Sequence, residues 1–157
     1  GFIGRAVCER LLTSGQEVIG VDCFNTYYDP ALKEARAATL TPHKGFRMVR
    51  MDIADTDAMA ALVKDSGADS VIHLAAQAGV RHSIDNPFAY AHSNLTGHLS
   101  VLEACRHHGI GVVPYSPIAR GVLSGKYVPG AQPAPTEHNK MAAAVSDVCF
   151  GMTRFPC

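Results

Sequence analysis

The apolar residues that open the chain recur at helical spacing. Ile3, Val7 and Leu11 stand four apart and Leu12 widens the stripe, while Arg5, Glu9 and Arg10 fall outside it. With Gly15 as a C-terminal stop, this predicts an amphipathic helix over Phe2–Ser14. The period then changes. "EVIGVD" is short, apolar and β-branched and ends in Asp22, as a buried strand does. "NTYYDPALKEARAATLTPHKG" is polar and reads as mixed loop and helix. "FRMVRMD" predicts a second strand ending in Asp52, and Thr56–Lys64 a helix capped by Asp55 or Thr56. "DSVIHLAA" predicts a third strand running into small residues. A longer helix follows Pro87, with Leu95, Leu99 and Leu102 apolar, and ends near Gly109; "GVVPY" is then a fourth strand.

Strands that are apolar almost throughout, alternating with helices, imply an α/β fold: a Rossmann-like, mostly parallel sheet with flanking helices. Val18–Val21, Arg47–Met51 and Val71–Leu74 should run parallel, with "GVVPY" beside the last of them. Ligands bind such sheets at the carboxyl ends of the strands, where Asp22 and Asp52 both stand. Beyond Val128 the pattern dissolves. "PGAQPAPTEHNK" reads as a loop and "MAAAVSDVCFGM" as a short terminal helix. The organisation expected is one Rossmann-like domain over residues 1–128 and an irregular tail over 129–157.

Composition narrows the classes. At 157 residues and 47% hydrophobic, the chain suits one cored domain. Fourteen basic residues balance fourteen acidic ones, so bulk charge favours neither nucleic acid nor an anionic membrane. No apolar run approaches the ~20 residues that span a bilayer. No basic-then-apolar leader opens the chain, which makes cytoplasm the expected address. Cys8, Cys23, Cys105, Cys149 and Cys157 are scattered and odd in number, which suits free thiols, and the histidines offer no metal-ligand spacing.

Chemistry enters first through two glycines. Gly1 and Gly4, spaced G-x-x-G at a helix start, let a backbone approach a pyrophosphate at the positive end of the helix dipole. Glycines at helix starts are common, and Asp22 is what strengthens the reading. An acid about twenty residues on, at the end of the next strand, is where dinucleotide sites bind a ribose hydroxyl. The plain alternative for Asp22 is a turn former at a strand end.

Longer stretches carry a resemblance. "GFIG", "GVD.FN.YYDP.LK..R", "DIAD" and "VIHLAAQAGVR.SI.NPFAY..SNLTGHL.VLEACR" resemble the extended short-chain dehydrogenases/reductases, and among them the NAD-dependent sugar-nucleotide epimerases of the UDP-glucuronate 4-epimerase kind, from Gly1 to about His108. The resemblance implies that Gly1, Phe2, Ile3 and Gly4 belong to the phosphate turn, and that the family's first strand and first glycine would precede them. Asp22 and Asn25 would contact the adenosine ribose. Asp52 and Ile53 would flank the adenine. Ala75, Ala76 and Gln77 would run beside the cofactor, with Asn94 near it, and Arg81 would face the sugar nucleotide. His73 reads as an ordinary strand-end histidine. The implied cofactor is NAD, the implied substrate a nucleotide sugar, and the implied assembly a homodimer. The implied reaction passes hydride from a sugar carbon to the cofactor and returns it to the other face.

Then the pattern breaks. The family's catalytic tyrosine is made basic by a lysine four residues on. Here Ala31, Leu32, Asn94, Ala119 and Ala131 stand four after Tyr27, Tyr28, Tyr90, Tyr115 and Tyr127, so no Tyr-x-x-x-Lys occurs and no catalytic residue is assigned. Residues 109–133, "GIGVVPYSPIARGVLSGKYVPGAQP", resemble instead a phosphate-binding segment of the aldo-keto reductases, with Ser116 and Lys126 as the implied contacts. Two further readings therefore stand beside the epimerase: an NADPH-dependent reductase, and a truncated, fused product that binds nucleotide without catalysis.

Overall fold

The computed structural model describes residues 1–114 and 150–153. The chain divides into two compact units, Gly1–Gly67 with Leu74–Ala104, and Ala68–His73 with Cys105–Cys157.

In the first unit the opening apolar stripe forms α1 (Phe2–Thr13), and Gly15 at φ +85° turns the chain out of it. β1 (Val18–Asp22) and β2 (Phe46–Arg50) pair in parallel, with Val18 opposite Phe46 and Asp22 opposite Arg50. Between them runs α2 (Pro30–Ala38). Pro30 presets its first turn, and the Asp29 carboxylate accepts the Ala31 N–H. α3 (Thr56–Ser66) is capped by Asp55, whose side chain accepts the Ala58 N–H, and ends on left-handed Gly67. Leu40, Met59 and Val63 are buried.

The long helix expected after Pro87 is interrupted. α4 (Val80–Asp85) precedes α5 (Pro87–Ala91), which passes through a π-helical turn (His92–Thr96) into α6 (Gly97–His107). The wide turn ends at Gly97, against which Ile53 packs so closely that a Cβ there would lie 2.8 Å from Ile53 Cγ1. Val101 and Ala104 are buried further along.

The second unit holds β3 (Ser70–His73), β4 (Gly111–Pro114) and β5 (Phe150–Thr153), in the order β3–β5–β4. Three expectations change here. β3 pairs with neither β1 nor β2; among the described residues its ladder partner is β5, antiparallel, so the parallel pairing expected of three strands is that of β1 with β2 alone. β4 does not lie beside β3, because β5 runs antiparallel to both and separates them. The expected terminal helix over 141–152 is likewise a strand from Phe150; its earlier part lies outside the described residues. Strand edges leave unpaired N–H and C=O groups, and residues 150–153 satisfy those of two strands at once. Within this unit Cys105 and Ile110 are buried, and the Ile110 N–H bonds to the Cys105 carbonyl at 3.0 Å.

Candidate functional site

The carboxyl ends of β1 and β2 open into one cleft of about 490 Å³, within the range that takes a small ligand. It is lined by Cys23, Asn25, Arg50, Met51, Asp52, Gln77, Ala89, His92 and Ser93, all from the first unit.

Asp22 ends β1, and both its oxygens are engaged. Oδ1 accepts the Phe24 N–H at 2.7 Å and lies 3.6 Å from Lys33 Nζ, while Oδ2 lies 3.3 Å from the Gly1 nitrogen. Partial burial pushes this carboxyl upward. The Phe24 N–H and Lys33 act against burial, and the pKa lies below its ordinary 3.8. The turn needs Phe24 at φ +51°, with its ring under the Arg50 guanidinium at 4.0 Å. Lys33 also donates to Asn25 Oδ1 at 2.8 Å, which fixes that side chain at the cleft wall. Arg50 is held from its other side by Glu34.

Asp52 follows β2. Its Oδ1 accepts the Ala54 N–H at 2.9 Å, and its Oδ2 stands 3.0 Å from His92 Nε2. Burial again acts to raise this carboxyl, and the Ala54 N–H and His92 bring it below its ordinary value. Gln77 is buried, and Asn94 clamps its backbone from both sides. Asn94 Oδ1 accepts the Gln77 N–H at 2.7 Å, and Asn94 Nδ2 donates to the Gln77 carbonyl at 3.0 Å. The π-helical turn carries Asn94 to this clamp and turns His92 and Ser93 to the cleft; such turns often mark functional sites.

Of the residues singled out from sequence, the cleft brings Asn25, Asp52 and Gln77 together, with Asp22 beside it and Asn94 behind it. The others stand outside its lining. Gly1 and Gly4 open α1 with free space where a Cβ would be, Phe2 and Ile3 are exposed, and Ile53 packs on Gly97. Ala75, Ala76 and Arg81 are exposed. Half-buried His73 ends β3, and Ser116 and Lys126 fall outside the described residues. Sequence reasoning missed Cys23, Arg50, Met51, Ala89, His92 and Ser93. The first three neighbour the strand-end acids, so the strand-end rule could have reached them. Nothing in the helical periodicity marks His92. Among the described residues no helix is long and apolar enough to cross a membrane, and no cluster of three ligating side chains could hold a metal.

A cleft at the strand ends, walled by an ionised strand-end acid and a clamped amide backbone, invites comparison with known proteins. The sequence matches the NAD dependent epimerase/dehydratase family over residues 1–117. The chain belongs to this family. A second match, to the aldo/keto reductase family, covers residues 86–152. The chain is 46% identical over 106 residues to UDP-glucuronate 4-epimerase 4 of Arabidopsis thaliana, covering 68% of this chain and 24% of that protein. It is 42% identical over 110 residues to UDP-glucuronate 4-epimerase of Thermodesulfobacterium geofontis, covering 70% and 34%. UDP-glucuronic acid 4-epimerase from Bacillus cereus, solved with UDP-glucuronic acid and NAD, superposes with a TM-score of 0.62 at 37% identity. That match covers 68% of this chain and 34% of the solved one. The chain thus spans a quarter to a third of the length of these three relatives.

Proposed function

We propose that the chain is the cofactor-binding part of an NAD-dependent sugar-nucleotide epimerase of the UDP-glucuronate 4-epimerase kind. The convergence of Asn25, Asp52 and Gln77 on one cleft, next to an ionised Asp22, carries the reading. A carboxylate held charged at the end of β1 suits a ribose diol and repels a 2′-phosphate. The residues therefore fit NAD. Asp22 and Asn25 would bind the adenosine ribose, Asp52 and Ile53 would flank the adenine, Gln77 would face the cofactor, and Gly1–Gly4 would carry the pyrophosphate at the start of α1. NAD supplies a hydride acceptor, and Arg81 would bind the sugar nucleotide.

Titration of the chain with each cofactor tests this. NAD should bind at least about tenfold more tightly than NADP, about 1.4 kcal/mol. Tighter NADP binding would overturn the reading and favour the reductase alternative, which the match over residues 86–152 supports. Turnover is a separate matter. A positioned acid–base pair contributes about 10²–10⁴-fold to rate, and these 157 residues hold no Tyr-x-x-x-Lys. Incubated with NAD and UDP-glucuronate, the chain should yield no UDP-galacturonate above a no-protein control, and product above it would assign the base role to other residues.

A further inference from the structure

Two loops carry walls of the cleft: residues 23–29 after β1, with Asn25, and residues 74–79 after β3, with Gln77. Among the described residues no backbone hydrogen bond joins them. The Tyr27 ring spans the two. Tyr27 lies two residues beyond Asn25 and sets its hydroxyl over Gly79, two residues beyond Gln77. A Cβ on Gly79 would overlap the Tyr27 oxygen, and Gly79 sits at φ +98°, where side chains are strained. The ring also lies 4.6 Å from that of His82 on α4, and 4.6 Å, edge to face, from that of Tyr28. Edge-to-face and tilted ring contacts of this kind favour one placement of a side chain over others, and so of the loop that carries it.

We propose that Tyr27 is a positioning residue, a clasp that seats on bare Gly79 and so holds Asn25 and Gln77 at a common spacing across the cleft. It touches no ligand and acts through the two residues that do, so the inference rests on the nucleotide-binding reading. Glycine at position 79 is required for the seat as well as for the backbone.

The test pairs hydrogen exchange with NAD titration on the full chain. Tyr27→Ala should raise amide exchange in residues 23–29 and 74–79 about tenfold while β2 and α3 keep their protection. It should also weaken NAD binding about tenfold, and Tyr27→Phe, which keeps the ring against Tyr28 and His82 and loses only the hydroxyl over Gly79, should fall between wild type and Tyr27→Ala in both. Asn25→Ala should weaken NAD binding in the wild-type background and change little in the Tyr27→Ala background, since the unclasped loop no longer presents Asn25. Unchanged exchange in both loops, or an equal Asn25→Ala effect in both backgrounds, would overturn the clasp. If Tyr27→Ala loses protection throughout, the same readings are taken in Tyr27→Leu; global loss there too makes Tyr27 a general packing residue and also overturns it. A wild-type chain that binds no NAD would refute the functional reading, while the exchange comparison would still decide the clasp.

Discussion

Asp22 and Asp52 show how the turn after a strand holds a carboxylate charged. Asp22 ends β1 and Asp52 stands two residues past the end of β2, and each accepts an N–H two residues ahead: Phe24 for Asp22, Ala54 for Asp52. The turn that redirects the chain thus also stabilises the charge. Burial opposes ionisation in both, yet both pKa values are lowered, which links folding to pH. A carboxyl depressed in the folded state adds stability above its unfolded pKa and loses it as pH falls through the folded one. Stability should therefore hold above about pH 4 and decline below it. Asp22→Asn should flatten part of that decline and cost about 1 kcal/mol near neutral pH, the charge-assisted bonds being discounted for partial exposure. Urea midpoints at about pH 3 and pH 7 measure this, and an unchanged slope in the variant would contradict it. The same substitution should erase much of the preference for NAD over NADP, because the charge that repels a 2′-phosphate is gone.

At the scale of elements, the sequence announced what local physics controls. The stripe Ile3, Val7, Leu11 became α1, Asp55 marks a true helix start, Asp22 ends β1, and Asp52 lies just past the end of β2. What it hid depends on partners distant in the chain. The interruption at His92–Thr96 follows from no break in periodicity; it goes with Asn94 bonding a backbone seventeen residues away and with Ile53 pressing on Gly97. The place of β5 between β3 and β4 is hidden for the same reason, since hydrophobic alternation does not say which edge a strand joins. Three substitutions test this junction. Gly97→Ala should destabilise by about 1–2 kcal/mol, overpacking against Ile53 exceeding the gain in helix propensity. Ile53→Ala in the same chain should recover part of that loss. Asn94→Ala should cost about 2 kcal/mol by stripping two bonds from the buried Gln77 backbone, and should weaken NAD binding as the wall loosens. Thermal unfolding of the single and double variants would decide both. A stabilising Gly97→Ala would mean that Ile53 yields freely.

For the whole chain, the division into units sets where ligand effects should be felt. Every residue assigned to nucleotide binding, from Gly1 to Asn94, lies in the first unit. The second contains β3, β4 and β5 and none of those residues. A ligand stabilises what it binds, by about 2.7 kcal/mol at a hundred times its dissociation constant. Local openings in the bound region are suppressed accordingly, whereas openings elsewhere respond only where they expose the bound residues. Near-saturating NAD should therefore slow exchange at the strand-end turns 22–25 and 52–55, at residues 74–79 and along the π-helical turn. Exchange in Ser70–His73 and Gly111–Pro114 should change by less than about twofold. NADP at the same concentration should protect neither set. Equal protection of both units by NAD would mean that the chain opens as one cooperative body, and the cleft would then lose its standing as a separately stabilised site. Protection confined to the second unit would move the nucleotide away from Asp22 and Asp52 altogether.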